Sequence, residues 1–377
     1  MSADQAPPET TRQQERESGR RSAIRALAGG ATAALTGSAI LAGATEARAE
    51  PSAGLGDDPF AADERGPTGR VREYWIQAES FQHNAVPNGY DAMMGRRMTA
   101  AQTTFWAIGF RAYTAGWGKP LDADLGPHGV GANAGIPGPV LRAEAGDVLR
   151  VHFRNNDEHY KWPHSMHPHG VRYDGNSDGG WLADDPDHPG TAVPFGSSYT
   201  YTWVCTSGSV GTWPYHDHSA PQAVHPGAGE PVMEIGAELG LFGVLAVTDR
   251  RTPAVDREFV VFLHDLYRSD VPSLAQNLNL VNGGAYLDNT PTFTAKVGDR
   301  VRWRIASLGS EFHVFHLHGH RWRSAQGYQG WADSELIGPA TTLTIEYRED
   351  NPGDWIYHCH VAHHLMGGMA GRYRVTS

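Results

Sequence analysis

Beyond its first fifty residues the chain alternates apolar and polar positions in short runs broken by glycine and proline, the signature of strands with one buried face. The clearest run, Pro139 to Val151, turns at Gly146-Asp147 and returns as Pro291 to Trp303, with its turn at Gly298-Asp299. Three further correspondences follow in the same order. His164, His167 and His169 share their spacing with His313, His316 and His318. His216-Asp217-His218 matches His358-Cys359-His360, and Gly240-Leu241-Phe242-Gly243 matches Gly368-Met369-Ala370-Gly371, each just ahead of a final strand. A repeat of this kind predicts one β domain present twice. The stretch Asp249 to Asp256, with Arg250, Arg251 and Pro253, interrupts the pattern before the apolar run Phe259 to Leu263. The predicted domains are therefore 73–250 and 256–377, in an all-β fold.

The N-terminus follows another pattern. Arg20-Arg21 precedes the uncharged stretch Ala26 to Thr45, and Ala47-Arg48-Ala49 has the small residues of a cleavage site. Residues 1–49 read as a twin-arginine export signal and 50–72 as an N-terminal extension, so the protein is expected to be secreted. No later apolar run has spanning length, and no stable membrane association is expected. A length of 377 residues suits two domains, and 45 glycines with 24 prolines suit many turns. A net charge of -11, spread along the chain, leaves no basic footprint for nucleic acid and points to small-molecule partners.

Four histidine clusters carry the candidate chemistry: His167-Pro-His169-Gly170, His216-Asp-His218, His313-Val-Phe-His316-Leu-His318, and His358-Cys359-His360 followed by His363, His364 and Met369. On a strand, residues i and i+2 face one way and the residue between faces the other. Each His-x-His pair thus presents two imidazoles together, and Cys359 turns its sulfur to the opposite face from His358 and His360. One thiolate, two imidazoles and a thioether form the donor set of a blue-copper site, and Cys359, His313, His364 and Met369 supply it. Structural zinc would close four strong ligands and leave the other eight histidines idle. Cys359 is claimed by metal in this reading, so no disulfide to Cys205 is expected. The first copy has Asp217 where the second has Cys359, and Leu241 where the second has Met369, so His164 is not expected to bind copper.

The order and spacing of these clusters resemble those of the multicopper oxidases, and the two-domain length resembles their small bacterial laccases. The resemblance covers nearly all of residues 73–377, and its most specific element is the run from His358 through His364 to Met369. It implies two cupredoxin-like domains, each a Greek-key β-sandwich or barrel, with four coppers per subunit. His313, Cys359, His364 and Met369 would hold the type 1 copper, and His167 and His316 the type 2 copper. His169, His216, His218, His318, His358 and His360 would hold the type 3 pair, completing a trinuclear cluster. The implied reaction is one-electron oxidation of phenolic or other organic reductants, entering at an exposed ring edge of His364 and crossing Cys359, coupled to four-electron reduction of O2 to water. Asp178, nine residues after His169, is the expected proton donor, and Tyr173 a nearby electron or hydrogen-bond donor. In the resembling enzymes neighbouring subunits complete each other's clusters, so a homotrimer is expected. A copper nitrite reductase remains an alternative, as does a cuprous-ion oxidase using Met93, Met94 and Met98.

Overall fold

The computed structural model describes residues 69–121, 135–221, 235–327 and 330–377. Residues 1–49, where an export signal is expected, lie outside the described residues, as do positions 50–68, His128 and His225. Among the described residues no helix is long and apolar enough to cross a membrane.

The repeat in the sequence is a repeat of topology. Thr104–Tyr113, Val71–Asn84, Val148–Asn156 and Ser198–Val204 lie side by side, in that order, in one sheet. Leu141–Glu144, Phe242–Thr248, Gly211–His216 and His167–Pro168 form the sheet opposite. The second copy repeats the first of these orders with Leu278–Val281, Arg257–Leu266, Arg300–Ser307 and Thr342–Arg348. It repeats the other with Thr292–Lys296, Ala370–Thr376, Gly353–Cys359 and His313–Leu317, and adds Ser334–Ile337 at the edge. Both copies pair their opening strand in parallel with a later one, Val71 with Val148 and Arg257 with Val301. Parallel neighbours cannot be joined by a tight hairpin, so the chain must cross between sheets, and each copy becomes a sandwich.

The conserved shape of the repeated run has a physical cause. Each Gly-Asp turn sits between two strands, with Gly146 at φ 98° and Gly298 at φ 95°, a region that disfavours any side chain. Each aspartate then closes its own turn: Asp147 accepts the Glu144 N–H and Asp299 accepts the Lys296 N–H, both at 2.9 Å. The same carboxylates tie the turn to the opening strand of their copy, through Arg72 and Arg257. This tether explains why the first strand takes Val71 and Arg72 from the stretch assigned to the extension.

The apolar run at 259–263 is buried on both faces. Phe259, Val261 and Leu263 enter the core of the second sandwich, while Val260 and Phe262 turn the other way into the core around Phe110, Phe153 and Tyr215 of the first. A strand between two cores needs no polar face, which is why alternation fails there. Cys205 and Cys359 are separate buried thiols.

Candidate metal centre

Three donors converge inside the second sandwich. The strand His313–Leu317 pairs antiparallel with Gly353–Cys359, placing Phe315 opposite Cys359 and His316 opposite His358. Strand parity then sends His313 and Cys359 into the core and His316 and His358 to the other face. The short helix Ala362–Met366 brings in His364. Its Nδ1 lies 3.2 Å from Nδ1 of His313 and 3.5 Å from Sγ of Cys359, and His313 Nδ1 lies 3.9 Å from the same sulfur. Met369 is fully buried and fixed to both partners, its N–H donating to the His364 carbonyl at 3.0 Å and its carbonyl accepting the Cys359 N–H at 3.1 Å. Val314 donates its N–H to the sulfur at 3.4 Å, a bond that favours a thiolate. Burial pushes His313 down to about 3, so the ring is neutral and its Nδ1 is free to bind metal. The donor set fits copper: imidazole and soft sulfur donors within bonding reach of one point, closed off from water.

His364 departs from expectation at its other edge. The ring is buried, because Glu311 lies against it and accepts from Nε2 at 3.0 Å. His363, exposed, donates to the same Oε2 at 3.0 Å, and Tyr267 donates to Oε1 at 2.9 Å. The hydrogen bond from His363, aided by those from Tyr267 and His364, holds the Glu311 carboxyl down at about 2. Any path to His364 from outside therefore leads past Glu311 and His363. Sequence reasoning missed Glu311, since nothing in the strand pattern marks a carboxylate two residues ahead of His313.

Four imidazoles gather on each of the two matching sheets. In the first, ring centroids of His167, His169, His216 and His218 lie 5.1 to 5.5 Å apart where they touch. In the second, His316, His318, His358 and His360 lie 5.0 to 5.4 Å apart. Backbone carbonyls set the tautomers identically in the two copies. His167 donates from Nδ1 to Asp178 at 2.7 Å and His316 to Asp333 at 2.8 Å. His216 donates from Nδ1 to Asp217 at 3.0 Å and His358 to Cys359 at 2.8 Å. A ring protonated at Nδ1 carries its lone pair on Nε2, and these nitrogens turn toward their neighbours. Nε2 of His169 and of His216 face each other at 3.1 Å, as do Nε2 of His318 and of His358.

Burial, with the neighbouring rings adding to it, pushes His169 and His358 down to about 4 and His216 to about 3. Neutral imidazoles whose ring nitrogens converge are a donor set suited to metal, and the fit to a metal cluster is good. Ring contacts join the members of each quartet, and among the described residues none joins one quartet to the other.

The first sandwich has replaced the sulfur site with an ion-pair triad. His164 is fully buried, its Nδ1 2.7 Å from Oδ2 of Asp217 and its Nε2 3.1 Å from Oδ2 of Asp157. Burial opposes the charge, but the two carboxylates overcome it and push His164 up to about 9. A ring protonated on both nitrogens has no lone pair to offer a metal. Leu241 is buried at the position matching Met369.

Asp178 and Tyr173 both lie beside His167. The Asp178 carboxylate is partly exposed, with Oδ1 3.5 Å from Nδ1 of His167, and the Tyr173 ring stands edge-on to His167 at 6.0 Å. His320 lies behind His318, donating from Nδ1 to its carbonyl at 2.7 Å and facing Glu349 at 2.9 Å. Of the three methionines, Met93 and Met94 are exposed, while Met98 packs against the core.

Comparison with known proteins agrees with this arrangement. Residues 121–236 and 263–377 each match a family described as multicopper oxidase. A protein of Kuenenia stuttgartiensis named "Probable nitrite reductase-hydroxylamine oxidoreductase fusion protein" is 32% identical over 271 residues, covering 69% of this chain and 29% of that one. Ferroxidase HEPHL1 of Mus musculus is 29% identical over 357 residues, covering 81% of this chain and 29% of its own length. The chain thus spans 29% of the length of each of these relatives. A crystal structure of a multicopper oxidase superposes with a TM-score of 0.59 at 23% identity, covering 85% of this chain and 97% of that one, a likeness of fold. The fold is all-β, with two cupredoxin domains. With more than half of its residues matched by two such domains in succession, the chain belongs to the multicopper oxidase family of copper-binding oxidoreductases.

Proposed function

We propose that this multicopper oxidase is of the laccase type, oxidising phenolic or other organic reductants one electron at a time and reducing O2 to water. The observation that carries this reading is the strand Gly353–Cys359, which offers a thiolate to one face through Cys359 and an imidazole to the other through His358. His313, Cys359, His364 and Met369 would hold a type 1 copper, His167 and His316 a type 2 copper, and His169, His216, His218, His318, His358 and His360 a type 3 pair. When bound, these coppers supply reversible one-electron chemistry at the sulfur site and a multi-electron store for dioxygen at the histidine site.

The chain's own residues do the rest. Cys359 joins the two donor sets by a few covalent bonds, the shortest connection between them. Glu311 and His363 cover His364, so a reductant docks against these two side chains. The carbonyls of Asp178, Asp333, Asp217 and Cys359 fix the rings that face dioxygen, and the Asp178 carboxyl delivers protons to it. Because the two quartets do not meet within one chain, the complete cluster is assembled between subunits, in a homotrimer. Export by the N-terminal twin-arginine pattern puts the enzyme outside the cytoplasm.

One observation favours a second reading, oxidation of a metal ion. Glu311, His363 and His364 offer ligand atoms within 4.8 Å of one another at the edge of the sulfur site. A substrate panel run beside a copper count separates the cases. The laccase reading expects four coppers per chain and O2 uptake with phenols. O2 uptake confined to ferrous or cuprous ions, or nitrite turnover without it, would sink that reading.

A further inference from the structure

We infer that Asp265 positions His313 and thereby sets both the copper affinity and the potential of the sulfur site, a role that rests on the type 1 reading given above. Asp265 lies on the strand Arg257–Leu266, the one buried between two cores, where an ionisable side chain is out of place unless it has a task. An imidazole that binds metal through Nδ1 carries its proton on Nε2. In His313 that Nε2 is buried and has no hydrogen-bond partner, and it faces Oδ2 of Asp265 at 3.6 Å. Oδ2 is itself buried and without a hydrogen-bond partner. Two unsatisfied atoms of complementary character, each costly to bury alone, thus stand roughly 0.4 Å beyond hydrogen-bond range of one another.

The carboxylate is held in place by a frame that reaches the other ligands. Asn279 donates its side-chain amide to Oδ1 of Asp265 at 2.5 Å, leaving Oδ2 for His313. The backbone N–H of Asn279 donates to the carbonyl of Gly367 at 3.1 Å, in the loop between His364 and Met369. A Cβ at position 367 would stand 1.8 Å from Oδ1 of Asn279, so the approach permits only glycine. Asp265 is thereby referenced to three of the four donors of the sulfur site.

A cavity of about 80 Å³ adjoins this frame, lined by Glu238, His264, Asp265, Leu308, Gly309 and Ser310. His264 is fully buried there with both ring nitrogens lacking a hydrogen-bond partner. A polar cavity of this size has room for two or three waters at roughly 30 Å³ each.

A carboxylate behind a metal-bound imidazole raises the basicity of the ring and favours the more highly charged, oxidised metal. Asp265→Asn keeps the shape and the acceptor for Asn279, and removes both the charge and the acceptor that faces His313, putting an amide N–H there. It is expected to lower copper affinity at the sulfur site by about 10- to 100-fold, to raise the potential, and to change the copper hyperfine coupling in the electron spin resonance spectrum. Unchanged affinity, potential and coupling in a folded, blue Asp265→Asn protein would overturn the inference. Should that variant fail to fold, a crystal structure of the copper-loaded native protein decides. An Oδ2 to Nε2 distance of about 2.7 to 3.2 Å is expected, and a carboxylate turned away from His313 refutes it. A native protein that shows no blue band at full copper loading would instead sink the type 1 reading itself.

Discussion

Nδ1 of His167 donates to the backbone carbonyl of Asp178 at 2.7 Å, while the carboxylate of the same residue stands 3.5 Å from the same nitrogen. One residue thus fixes the tautomer of a cluster histidine with its main chain and offers a partly exposed acid with its side chain. The two roles separate by mutation. Asp178→Asn keeps the carbonyl, so the histidine stays oriented and the blue colour persists. Loss of the acid is expected to slow O2 reduction on the order of 100-fold and to alter its pH profile. Rates equal to the native enzyme at every pH, in stopped-flow reoxidation, would remove Asp178 from the mechanism.

Cys359 and Met369 occupy the same buried site with different chemical weight. Cys359→Ser is expected to abolish the blue absorption and substrate oxidation together, since an alkoxyl is neither soft nor readily deprotonated. Met369→Leu removes only the thioether, the weakest donor that the site would offer a copper. The protein should stay blue, and its potential, measured by redox titration, should rise. An unchanged potential would mean that the thioether does not reach the metal.

The triad of the first sandwich makes a stability prediction with a definite pH window. His164 is raised from 6.5 to about 9 by Asp217 and Asp157 against the cost of burial. Its contribution is complete below pH 6.5 and is lost as pH rises through about 9. Asp217, held below its ordinary value of 3.8 by the His164 charge despite burial, contributes above that value and loses its contribution as pH falls. Asp217→Asn leaves buried His164 with only the more distant of its two carboxylates, Asp157, and is expected to cost about 3 to 5 kcal/mol in denaturant unfolding. The variant should also lose most of the native decline in stability between pH 6.5 and 9. A cost under about 1 kcal/mol would show the triad to be incidental.

In the proposed reading the two histidine quartets complete one cluster between subunits, and oxygen reduction depends on assembly. Dissociated subunits, identified by sedimentation, are expected to keep the blue band and one-electron uptake while losing O2 consumption. A monomer that consumes O2 at the rate of the assembled protein would refute shared clusters.

The sequence alone determined the duplication, the strand alternation and the sorting of donors between faces. All three follow from periodicity, because a period of two decides which way a side chain points wherever one face is buried. Reading His358-Cys359-His360 as imidazoles on one side and sulfur on the other needed no tertiary knowledge, and the pairing of His316 with His358 follows that parity. What only the tertiary structure decided are contacts between residues far apart in sequence. Glu311 covers the ring of His364, Asp217 pairs with His164 across the sandwich, and Asp265 reaches His313 from a strand whose apolar run hid it. Carboxylates of this kind leave no periodic trace: their positions are set by how two sandwiches and a short helix pack, and the burial that gives each charge its effect exists only once the chain has folded.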